Sequence, residues 1–157
     1  MTTSNMSGPA PRARVSVNAQ RLWGGGIATA CVAALLAVAG VLICQGVLNV
    51  RLVRPALLLD LAHSFALDYA VTAFLLAVVA TGLAHILLLT TPRPRTFFGW
   101  IIGLATLCGV AAPFAFDTEV SSQVATAGIN LALGICIGSL LSAVMARTAH
   151  AEPTIPA

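Results

Sequence analysis

Three polar side chains stand inside otherwise apolar runs: Thr81, His85 and Asn130. His85 is the one imidazole in a span, able both to donate and to accept a hydrogen bond. Thr81 lies four positions earlier, one helical turn away on the same face. The spacing therefore predicts a histidine hydrogen-bonded to Thr81 or to a neighbouring helix. Asn130 carries both a donor and an acceptor, which suits it to tying helices together. The rival use for His85 and Asn130 is as the lining of a path through a small oligomeric channel or transporter. A wet cavity around them would favour the path, and a dry contact the tie.

Other chemistry finds little support. Asp60, His63, Asp68, Asp117 and Glu119 could gather around a divalent cation, but they come from two loops without a ligand spacing. Solvated loop charges are expected, and no metal. Cys31, Cys44, Cys108 and Cys136 all lie in apolar runs and form neither a C-x-x-C nor a zinc spacing. They read as small apolar residues. A quinone-linked thiol oxidoreductase would need a paired dithiol, and haem with two axial histidines a second histidine in a span. No phosphate-cradling glycine loop or nucleophile–base pattern is present. Neither an enzyme nor a cofactor is expected. Proton-coupled transporters place ionisable groups in the membrane. The four-helix multidrug exporters, similar in size, use a glutamate in their first span, where this chain has only Gln45 near the outer end.

The elements that position these residues follow from composition. The chain has 157 residues, 59% of them hydrophobic and 8% charged. Soluble domains carry about 25% charged residues, so this chain belongs in a membrane. Its net charge of +3 comes from arginine alone among the cations. The arginines sit at span ends and not along one face, which argues against a nucleic-acid partner. Four runs without deep charges are long enough to cross a bilayer, at about 24–50, 69–91, 97–115 and 122–146. The stretch 90–100 joins the middle two. Pro92 and Pro94 break the helix, Arg93 and Arg95 form a cytoplasmic basic turn, and Phe97, Phe98 and Trp100 mark the interface. Such a turn anchors a hairpin; its sharper use is as an anionic-lipid or partner site.

Residues 1–20 and 148–157 read as disordered cytoplasmic tails. A short helix at about 56–67 is expected on the outer surface, with Asp68 as the N-cap of the second span and Ser121 or Ser122 capping the fourth. The glycines at 24–26 suggest a loose start to the first span. Ala37-Val38-Ala39 resembles a signal-peptide cleavage site, but the long preceding tail and continuing apolar run favour an uncleaved span. With the N-terminus inside, Arg12, Arg14, Arg21, Arg93, Arg95 and Arg147 are cytoplasmic, and only Arg51 and Arg54 lie outside. That asymmetry predicts both termini in the cytoplasm.

Burial alone cannot drive helices together in lipid, so close approach at small residues must. Gly99-x-x-x-Gly103 and Ala105-x-x-x-Gly109 in the third span, and Gly134-x-x-x-Gly138-x-x-x-Ser142 in the fourth, are candidates. Gln123, Ala127, Asn130, Gly134, Gly138 and Ser142 share one arc, expected to face the interior. Ile129, Leu133, Leu140 and Val144 are expected to face lipid.

The chain resembles a family of small actinobacterial membrane proteins known only as a domain of unknown function. The resemblance rests on the stretches 21–26, 85–95 with Phe97, Phe98, Gly99 and Trp100, 125–131 and 138–141, and covers about 21–147. It implies four spans and no established activity. The resulting expectation is an all-α polytopic membrane protein, four transmembrane helices in an antiparallel bundle. Its role would be structural or interactive, with the bilayer, a second copy or another membrane protein as partner.

Overall fold

The computed structural model describes residues 19–53 and 64–148. Four helices are long and apolar enough to cross a membrane. α1 spans Ala19–Leu42, α2 Phe65–Thr90, α3 Pro94–Ala111 and α4 Val120–Thr148. Contacts from Gly25 to Val144 and from Gly26 to Thr81 mark one end of the bundle, and one from Tyr69 to Asn130 the other, so the helices alternate in direction. Among the described residues, Arg21, Arg93, Arg95 and Arg147 lie at the first end. Arg51, Asp68, Asp117 and Glu119 lie at the second.

The largest seam is between α1 and α2. Ala30, Ala33 and Ala37 of α1, with Ala73, Ala77 and Ala84 of α2, are buried at helical spacing. Alanine lets two backbones approach closely and so multiplies dispersion contacts where lipid offers no hydrophobic drive. α4 packs against both α1 and α3. α3 is peripheral, touching chiefly α4 and less of α2, and Phe98 is its one buried residue.

Several expected boundaries move. α1 begins at Ala19, so residues 19 and 20 are helical, and Gly24, Gly25 and Gly26 lie inside the helix instead of loosening its start. Gly26 is buried because it meets α2. The first span ends in a π-helical turn, Ile43–Val47. Asn49 then adopts φ 55°, a left-handed conformation that asparagine accepts more readily than most residues. The Val50 N–H bonds the Cys44 carbonyl at 2.9 Å and closes the helix end. Leu52 and Val53 tuck into the bundle, where the Val53 N–H donates to Thr126 Oγ1 at 3.0 Å.

Ser64, not Asp68, caps α2, its side chain accepting from the Leu67 N–H at 3.4 Å. Asp68 sits one turn inside the helix and is only 1% exposed. Of the expected surface helix at 56–67, residues 65–67 belong to α2; positions 56–63 lie outside the described residues, as do the tails 1–18 and 149–157. α3 starts at Pro94, earlier than the expected 97, because proline's fixed φ suits the first helical turn. The hairpin turn is therefore only Thr91-Pro92-Arg93, and Arg95 is helical. Phe98 faces inward, while Phe97 and Trp100 stay exposed. In α4 the Glu119 carbonyl accepts from Ser122 and Gln123 N–H at 2.9 and 3.1 Å. Ser122 is thus inside the first turn and buried, not the cap.

The expected lipid face of α4 is also corrected. Ile129 and Leu133 are each 8% exposed and belong to the core. The helix has neighbours on two sides. A Cβ on Gly40 of α1 would lie 3.1 Å from Ile129 Cγ1, which shows how closely that side is packed.

Candidate functional site

Asn130 holds three helices together. Its Oδ1 accepts from the Tyr69 hydroxyl of α2, and its Nδ2 donates to the Gly109 carbonyl of α3 at 2.7 Å. The need for the second bond is written in α3. The Gly109 carbonyl would bond the N–H of residue 113 in a continuing α-helix, but residue 113 is proline and has none. The helix tightens into a 3₁₀ turn at Ala112–Ala115, and the carbonyl is left without a backbone partner. Leaving it bare in lipid would be costly. The amide on α4 supplies the missing donor.

His85 stands elsewhere. Along α2 it is sixteen residues beyond Tyr69, about 24 Å at 1.5 Å per residue. The structure therefore does not bring His85 and Asn130 into one site. Nor does His85 bond Thr81. The Thr81 hydroxyl donates to the Ala77 carbonyl at 2.8 Å, and its methyl is held against Gly26 of α1. The imidazole lies beside Trp23, ring centroids 6.4 Å apart, and its buried Nδ1 has no hydrogen-bond partner.

Thr81 and Gly26 form one of two matching contacts. A Cβ at Gly26 would fall 2.2 Å from Thr81 Cγ2. A Cβ at Gly134 of α4 would fall 2.2 Å from Thr106 Oγ1 of α3, and Thr106 donates to the Ile102 carbonyl at 2.7 Å. In each pair the back-bond fixes the threonine rotamer, and only a glycine opposite leaves room. Gly138 also lies close to α3, where an added Cβ would be 3.1 Å from Ile102 Cγ2. Gly99 and Gly103 do not pack this way. A Cβ at either would meet nothing within 4 Å, and both border an open groove between α3 and α4. The alanine and Gly26 seam of α1 and α2 was not singled out by sequence reasoning. Small residues repeating at 26, 30, 33 and 37, and at 73, 77, 80 and 84, carry its signal.

Arg93 and Arg95 are exposed and border a cavity of about 540 Å³ with Leu88, Pro94, Thr96 and Ser142. The four cysteines are free thiols, Cys44 buried and Cys31 and Cys108 exposed on the helix surface. Among the described residues no three of His, Cys, Asp and Glu gather at metal-binding distance; Asp60 and His63 lie outside them.

No curated protein and no solved structure matches this chain. A family model does, over residues 17–151, and it takes in all four membrane helices together with the Asn130 tie. The chain belongs to the family of unknown function DUF6069.

Proposed function

We propose that this is a non-enzymatic integral membrane protein with a structural or interaction role, partnered by the bilayer and by a second copy or another membrane protein. The observation that supports it is the use of the Asn130 amide. Both its ends join helices, leaving neither directed at a substrate. The threonines of the spans are similarly bonded to backbone carbonyls one turn earlier. The channel or transporter reading draws on the unpartnered Nδ1 of His85. Reconstituted vesicles separate the two. The interaction role is expected to give no proton flux above empty vesicles after a pH jump. A flux abolished by both His85→Gln and His85→Leu would replace it with transport.

The proposed placement is multi-pass in the cell membrane with both termini cytoplasmic, on the strength of the arginine asymmetry. Cysteine mapping in cells is expected to label a cysteine placed at Thr118 from outside and to leave one at Thr96 unlabelled. The reverse pattern would invert the topology. The use of arginine and no lysine in this Ala-rich chain also supports a GC-rich, actinobacterial source for the sequence.

A further inference from the structure

The cavity at Arg93 and Arg95 and the groove between α3 and α4 meet at Ser142, which borders both. The cavity offers two guanidinium groups and the hydroxyls of Thr96 and Ser142. Neither arginine is paired with a carboxylate among the described residues. The start of α3 adds to the positive potential, since no side chain caps it. The groove, about 490 Å³, is of different character. Gly99 and Gly103 leave it open, Gly134 and Gly138 line it where α4 meets α3, and Phe98, Ile102, Leu131 and Ile135 make it apolar.

We propose that this pair of features binds one anionic phospholipid, its phosphate between Arg93 and Arg95 and an acyl chain along the α3–α4 groove. Charge selects the head, because anionic headgroups are drawn to basic residues at the cytoplasmic surface. Arginine adds bidentate hydrogen bonding to phosphate oxygens. Depth selects the tail: a groove beginning beside Phe98 and running past Thr106 lies where acyl chains lie. Gly99 and Gly103 then acquire a reason to be glycine that helix contact within the chain does not give them. The proposal names the lipid class within the interaction role above, and can fail while that role stands, because vesicle flux tests one and lipid retention the other.

The test uses the full chain in a neutral detergent, with bound lipid read by native mass spectrometry and stability by thermal melting. Phosphatidylglycerol is expected to stay bound and raise the melting temperature, whereas phosphatidylcholine of the same chain length does neither. An Arg93→Gln/Arg95→Gln double variant should weaken phosphatidylglycerol retention by about tenfold or more, from roughly a surface electrostatic contribution per arginine. Gly103→Leu fills the groove at a position where nothing lies within 4 Å, so the fold is retained while the lipid is lost. Equal retention of both lipids, or no loss in the double variant, would overturn the proposal. Protection by inorganic phosphate equal to that by phosphatidylglycerol would make this a free-anion site instead. If Gly103→Leu converted a dimer to a monomer without changing lipid retention, the groove would belong to a second copy.

Discussion

Gly26→Leu is expected to be the most damaging single substitution among the membrane helices, destabilising the bundle by about 3 kcal/mol or more in a detergent unfolding assay. The first added carbon already falls 2.2 Å from Thr81, so the rest of the side chain has nowhere to go. Thr81 cannot swing aside cheaply, because its hydroxyl is bonded to the Ala77 carbonyl. The backbones of α1 and α2 must part, and the buried alanines along their seam lose contact together. Gly134→Leu meets the same obstacle at Thr106, but on the smaller α3–α4 seam, so its cost is expected to be lower. Gly24→Leu is the control. Nothing lies within 4 Å of its Cβ position, and leucine is the better helix former. Equal melting of the Gly24 and Gly26 variants would remove close approach as the cause.

Asn130→Leu is expected to cost about 1–2 kcal/mol, since it strips a partner from the Tyr69 hydroxyl and the Gly109 carbonyl at once. The two losses can be separated. Pro113→Ala restores an N–H at the position from which the Gly109 carbonyl would accept in an unbroken helix. In that background Asn130→Leu should cost measurably less than in the native chain, leaving mainly the Tyr69 bond. Additive effects of the two substitutions would show that the Asn130–Gly109 bond carries no energy of its own.

The sequence makes the four spans and the hairpin turn readable because their signals are local: charge-free length, prolines and arginines. It makes the partners of particular faces much harder to read. Leu133 looks like a lipid-facing residue if α4 has one neighbour, and the helix packs against α1, α2 and α3. Gly99 and Gly103 look like a packing motif as strongly as Gly134 and Gly138 do. Only the arrangement of α3 on α4 decides that one pair meets the facing helix and the other opens onto the groove alone. The spacing of His85 and Thr81 predicts a bond between them, but a threonine hydroxyl in a helix has a nearer acceptor in its own backbone, here the Ala77 carbonyl. The Asn130–Gly109 bond was legible in principle. Pro113 announces an unsatisfied carbonyl four residues earlier, and Asn130 is the one amide deep in the following helix, Gln123 lying in its first turn. Alanine is so common in this chain that its repeat along α1 and α2 does not stand out from the background.

The marginal place of α3 also orders events in time. Its main partner, α4, is the last of the four membrane helices to be made. At about 5–20 residues per second, the 29 residues of α4 take seconds to appear. Until α4 packs, α3 has only its smaller contact with α2, its glycine groove has one wall, and the Gly109 carbonyl lacks the Asn130 amide. The bundle is therefore most exposed to quality-control proteases while α4 is still missing. Emergence of Asn130 supplies the missing amide, and the rest of α4, with Gly134 and Gly138, closes the seam with α3.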